Sequence, residues 1–254
     1  MSEGIRRAQR LSSRGDREEV PGEERSRRQE RANRILDATL ELVQRWGYKK
    51  TTIDDIAKQA GVAKGTIYLH WKTREALFEA LLLREWLSII VDFRQRLASD
   101  SAGATLSSLT RHLVSIAVSN PLVKAMLLRD TEMLGDLVRS SAGQHIMQLR
   151  LEVAKTYLGL LRDKGMLRTD STKETQMKMM AAIYIGFFVV DQFVPPDYQF
   201  LPEERVETLV EALHRTFEPE ETPAPTAVEE VTRTFNQLLD QLTDAIERAY
   251  QEIE

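Results

Sequence analysis

The stretch TIDDIAKQAGVAKGTIYLHWKTREALF, residues 52–78, decides how this chain folds. Ile53, Ile56 and Ala57 recur at three- and four-residue spacing, which predicts a short amphipathic helix. Thr51-Thr52 offers it an N-cap, and Asp54 and Asp55 suit the positive end of its dipole. Gly61 can take a positive φ and end that helix without strain. A second short helix opens at Ala63-Lys64 and ends near His70, with Ile67 facing inward. Ala60 is small where the two helices must approach, and Val62 plugs the gap between them. Thr73 caps a long helix from about Arg74, with Leu77, Phe78, Leu81, Leu82, Trp86, Ile89, Ile90 and Phe93 on its apolar side.

Two helices joined through a tight glycine turn form a helix-turn-helix. The second helix leaves Lys64, Thr66, Tyr68, Leu69 and His70 for its outer face and C-terminal end. Such a helix fits the major groove of DNA, with its early residues toward base edges. Gly65 lets a backbone approach closely. Tyr68, Lys72 and Arg74 are placed to hold flanking phosphates and set register. Other roles stay open: Thr52 can serve only as a cap, and Tyr68 and His70 can pack against Trp71 and the first helix.

Upstream, Ile35, Leu36, Leu40, Leu42 and Val43 recur helically from about Arg28, and Gly47 stops the pattern. Residues 1–27, rich in Arg, Glu, Ser and Gly, read as a disordered arm. Downstream, helices are expected at about 104–119, 121–138, 143–165, 172–194 and 202–217, separated by Gly and Pro breakers. No segment alternates with β-branched enrichment, so the fold class is all-α. Residues 218–227 (EPEETPAPTA) read as a linker. In residues 228–254, Phe235, Leu239, Leu242, Ile246, Ala249 and Ile253 form an apolar stripe over about three heptads. That helix can pack on its own core or cross to a partner chain.

Composition excludes several function classes. There is no cysteine, so disulfides, thiolate metal sites and cysteine nucleophiles are ruled out. The four histidines form no HxxxH or HExxH pair, so no metal site is expected. GVAKGT has three residues between its glycines rather than four and no lysine after the second, so it is no phosphate loop. No GxSxG elbow occurs, and neither an enzyme nor a cofactor is expected. The apolar run 179–190 is too short to cross a bilayer, and the N-terminus has no secretory core segment. The net charge of −4 divides unevenly: residues 1–84 carry 18 Lys/Arg against 13 Asp/Glu, so the remainder is acidic. A basic front suggests that only the front meets a polyanion, although an imbalance this small also fits a solvated surface.

The Thr51-Thr52 start, Ile56-Ala57, Ala60-Gly61-Val62, Gly65-Thr66, Tyr68, His70-Trp71 and Arg74 through Leu77 resemble the DNA-binding domain of the TetR/AcrR family of bacterial transcriptional regulators. Trp71 and Arg74 stand where the family usually has Phe and often Lys. The resemblance covers about residues 29–89. It implies a DNA-binding domain over residues 28–73, with Thr51, Thr52, Lys64, Gly65, Thr66, Tyr68, Leu69, His70, Lys72 and Arg74 as the contacting set. It implies a ligand-binding and dimerisation domain over residues 74–217. The implied pocket residues are Trp86, Phe93, Met126, Met133, Met147 and Tyr184, which also suit a plain core. The implied dimer face is Met177, Ala181, Tyr184, Ile185, Phe188, Val206, Leu209 and Leu213. The expected protein is a cytoplasmic homodimer with no membrane partner, most simply a repressor of a palindromic double-stranded operator, released by a small, largely apolar effector. The competing expectation is a helical protein-interaction module without sequence-specific DNA binding.

Overall fold

A computed structural model describes residues 21–128 and 130–253. Among them every regular element is helical. The helices are α1 Pro21–Trp46, α2 Ile53–Ala60, α3 Lys64–His70, α4 Arg74–Ala98, α5 Leu106–Ser119, α6 Pro121–Leu128, α7 Thr131–Leu134, α8 Ser141–Asp163, α9 Lys173–Val189, α10 Pro202–Phe217 and α11 Pro225–Ile253.

The start of the chain departs from expectation. Residues 21–27 are helical, so α1 begins well before Arg28; residues 1–20 of the expected arm lie outside the described residues. The Arg/Glu-rich composition that suggested disorder also suits an exposed helix, because both residues are strong helix formers.

α1, α2 and α3 close around one knot. Ile35, Leu36, Ile56, Ile67, Trp71, Leu77 and Phe78 are all fully buried there. The turn is made as the sequence requires. Thr52 accepts a hydrogen bond from the Asp55 N–H, the Asp55 carboxylate accepts from the Thr52 N–H, and Gly61 sits at φ 64° in the left-handed region.

α4 is the common spine of the molecule. At 25 residues it runs from the Thr73 cap beside the knot into the second body of helices. Against its far half pack α5, α8 and α11, and α10 packs on α5. α11 folds back onto its own chain, burying Val231, Phe235, Leu239, Leu242 and Ile246 against α4 and α8. The Phe235 ring lies 4.9 Å from Tyr157 on α8 and 6.1 Å from Phe93 on α4. Lys164 and Arg94 tie the helix down at Glu230 (2.6 Å) and Asp240 (2.7 Å).

Two further boundaries move. The expected helix 121–138 is broken after Leu128; α7 restarts as a single turn and continues as a 3₁₀ segment, Gly135–Arg139. The Asp130 side chain accepts the Met133 N–H and so caps the restart (3.3 Å). The expected helix 172–194 ends at Val189 in a short 3₁₀ turn. The irregular linker spans 218–224 only, since α11 begins at Pro225. No helix among the described residues is long and apolar enough to cross a membrane.

Candidate nucleic-acid interface

α3 is seven residues long, and its apolar side is wholly spent on holding it in place: Ile67 is fully buried, and Trp71 just beyond it is too. The opposite side is open. Leu69 is 69% exposed and Tyr68 38%, values high for an apolar and an aromatic side chain with no internal partner surface. Lys64, Gly65 and Lys72 are exposed and Thr66 half-buried. A Cβ on Gly65 would meet nothing within 4 Å, so the backbone there faces open space. Lys64 Nζ pairs with the Asp54 carboxylate at 3.0 Å; that hydrogen bond and charge raise the lysine's pKa. Both partners are well exposed, so the pair contributes little and is readily exchanged for another anion.

Three of the expected contact residues face the other way. Thr51 is buried, and its hydroxyl donates to the Gly47 carbonyl at 2.9 Å. It closes the turn after α1 and leaves Thr52 as the exposed cap. Arg74 is half-buried, with its guanidinium donating to the Tyr48 carbonyl (2.5 Å) and the Thr51 carbonyl (3.1 Å). It also stacks over the Tyr48 and Phe78 rings, at 4.1 and 4.6 Å. This cation is consumed in stitching the α1–α2 loop to α4.

His70 is buried at 4% exposure beside Trp71, with ring centroids 5.3 Å apart. Its pKa is lowered, first by burial and then by the positive charges of Arg28 and Arg31. The sign of the consequence follows. Below the ordinary histidine value of 6.5 the unfolded chain takes up a proton that the folded chain refuses, so stability falls as pH falls through that value. Urea melts of a His70→Gln chain are expected to show a weaker decline between about pH 6.5 and pH 5 than the parent.

The expected effector residues are only partly brought together. Trp86, Met126 and Met147 line one cavity with Leu82, Leu134, Gly143, Ile146 and Arg150. Its volume is about 20 Å³, room for a water molecule and far below the ~300 Å³ of a small-ligand pocket. Arg150 lies 4.5 Å over the Trp86 ring. Met133 packs nearby against the core. Phe93 is elsewhere, between His112 and Phe235, so α11 covers it. Tyr184 is elsewhere too; its hydroxyl is bonded to Thr110, and burial pushes its pKa up to about 12.

The expected dimer face also divides. Leu209 and Leu213 are fully buried and Phe188 is 5% exposed, so all three belong to the chain's own core. Met177 and Val206 are half-buried. Ala181 and Ile185 do face solvent, Ile185 at 52%. Met179, Phe193, Tyr198 and Leu201, none of them in the expected set, add to this exposed apolar surface. Because α9 is apolar nearly all round, spacing alone gives no phase for its buried side.

Residues 35–81 match the family described as "Bacterial regulatory proteins, tetR family". The chain is 26% identical over 185 residues to the uncharacterized HTH-type transcriptional regulator YvkB of Bacillus subtilis, covering 68% of this chain and 89% of that protein. It is 25% identical over 165 residues to the HTH-type transcriptional repressor KstR2 of Rhodococcus jostii, covering 63% and 79% of the two chains. Other relatives match more closely over short stretches: four are 42–47% identical across 47–59 residues, which is 17–31% of their own length. Among solved structures, the regulator FadR of Bacillus subtilis in complex with stearoyl-CoA shares the fold, with a TM-score of 0.54 at 19% identity over 71% of this chain and 96% of that one. With an N-terminal helix-turn-helix and a larger C-terminal helical body, the chain belongs to the TetR family of bacterial regulatory proteins.

Proposed function

We propose that this transcriptional regulator is a cytoplasmic homodimeric repressor that reads a palindromic operator and releases it on binding a small, largely apolar effector. The observation that carries the reading is the division of α3. Every apolar side chain that can hold the helix is buried, while Lys64, Thr66, Tyr68, Leu69 and Lys72 are left toward solvent on one side. Thr52 and Gly65 complete that surface.

Dimerisation through α9 follows from its exposed Met179, Ala182, Ile185 and Gly186, which recur every three or four residues; the small members allow close helix approach. Two copies place two reading helices about one duplex turn apart, some 34–36 Å, or a multiple of it. KstR2, named as a repressor, favours repression over activation. FadR, solved with stearoyl-CoA, favours an apolar effector.

The coupling route is short. Leu134 on α7 lines the cavity beside Trp86 and Met126. One residue earlier, the Met133 carbonyl accepts the Tyr48 N–H at 2.8 Å. Tyr48 in turn meets Phe78 edge-on at 4.7 Å and carries Arg74 on its face. An effector that enlarges the cavity must displace α7, and α7 holds the loop that precedes α2. Its effect on operator affinity equals its preference for one of the two arrangements.

Tyr68→Ala is the direct test. Operator affinity measured by fluorescence anisotropy should fall about 10- to 100-fold, equivalent to ~1–3 kcal/mol of lost contact. The unfolding midpoint and the mass in solution should stay unchanged, because this side chain packs on nothing in its own chain. Unchanged operator affinity would contradict the placement of the reading surface.

A further inference from the structure

The buried stripe of α1 changes character where the knot ends. Ala32, Ile35, Leu36, Thr39 and Val43 face inward. Continued toward the N-terminus at the same three- and four-residue spacing, that line passes through Arg28 and Arg25, with Arg31 at its edge. Ala32 is the last core residue on α1, yet the helix runs on to Pro21, about 16 Å further at 1.5 Å per residue. So α1 overshoots the domain it packs on, and it does so with arginines on the side that faces the reading helix. Arg28 and Arg31 act electrostatically on His70, the last residue of α3, which puts the stripe beside the C-terminal end of that helix. Lys72, exposed, follows two residues later. Residues 24–34 hold five arginines against two glutamates. Of those two, Glu30 accepts the Ser26 hydroxyl, and Glu24 lies one turn before Arg28, a pairing weak enough on an exposed helix to yield to a phosphate.

We propose that Arg25, Arg28 and Arg31 form a second DNA-contacting edge, gripping the duplex backbone where it passes the C-terminal end of α3. This rests on the reading of α3 as the DNA-facing helix. The ligand chemistry is phosphate rather than base edges. Guanidinium groups on a straight, overhanging helix match a line of backbone charge, and such contacts position without specifying sequence. The edge therefore raises affinity for every duplex and fixes the angle at which α3 enters its groove.

The test uses the full chain and needs no operator. Binding to a mixed-sequence duplex of about three helical turns, ~30 base pairs, is followed by anisotropy. Salt is varied from ~50 to ~200 mM for the parent, R25Q/R28Q and R25K/R28K. Two lost phosphate contacts flatten the slope of log affinity against log salt by about two. The parent's advantage over R25Q/R28Q should therefore be about tenfold larger at the low-salt end than at the high-salt end. R25K/R28K, which keeps the charge, should restore the parent slope. All three should unfold alike, since both side chains are exposed. A change in fold alone would lower the active fraction without moving the slope. An unchanged slope in R25Q/R28Q while the parent binds would overturn this edge and leave the reading of α3 standing. So would an altered sequence preference with the slope unmoved. A folded parent that binds no duplex at any salt would overturn both.

Discussion

A Phe235→Ala chain is expected to lose about 3–5 kcal/mol of unfolding free energy, as large-to-small changes in closed cores do. Phe235 is 6% exposed and wedged between Tyr157 and Phe93, so truncation leaves a hole bounded by two rings that cannot collapse into it. The loss should be far larger than for Gln237→Ala on the exposed side of the same helix, where a surface change stays within ~0.5 kcal/mol. Urea melts of the three chains at one protein concentration make the comparison. A loss near that of Gln237→Ala would mean that α11 does not seal α4 and α8 in solution and that its stripe serves another surface. The expected effect has a functional side. α4 links the reading head to the cavity, and α11 is the helix that clamps its far half.

The second large effect is expected at Arg74. Arg74→Lys keeps the charge but cannot span both carbonyls or lie flat on two rings. Charge-assisted hydrogen bonds contribute ~1.5–3 kcal/mol, and a cation over a ring adds about 0.5–1 kcal/mol. Arg74→Lys should therefore destabilise the chain by about 2–4 kcal/mol, allowing for partial compensation by the ammonium. Were Arg74 only a phosphate contact, the lysine chain would keep both stability and DNA affinity. The decisive pairing is thus the melting curve with the salt dependence of binding. The stitch predicts a lower midpoint and an unchanged salt slope for the folded fraction.

The helix-turn-helix was legible because its determinants are local. Thr52 caps α2, Gly61 turns it, and Ile53, Ile56 and Ile67 mark the inward faces, all within sixteen residues of sequence. Arg74 shows where local reading stops. A cation after a helix-turn-helix is an obvious phosphate ligand until the structure supplies two carbonyls and two rings waiting for it. His70 and Thr51 misled for the same reason, since a polar residue at a helix end is not marked in sequence as inward or outward. α9 is harder still, because its apolar residues surround the helix and leave Leu209, Leu213 and Phe188 indistinguishable from a partner-facing set. The break after Leu128 carries no glycine or proline to announce it; a side-chain cap at Asp130 makes the restart. In α11 the stripe was plain but its destination was not, because one apolar line serves an own core or a neighbour's equally well. Residues 21–27 were misjudged because a charged stretch was taken as unstructured, whereas it extends the α1 stripe in phase.

The central claim is that two copies of this chain read a symmetric DNA site through the outer side of α3. The most direct measurement is selection of bound duplexes from a random-sequence pool by the purified protein, with its mass in solution recorded alongside. The account predicts a dimer and an enriched palindrome whose half-sites lie about one duplex turn apart, or a multiple of it, with enrichment abolished by Tyr68→Ala. A folded protein that enriches no sequence, both as purified and after unfolding, stripping of any bound small molecule and refolding, would contradict it.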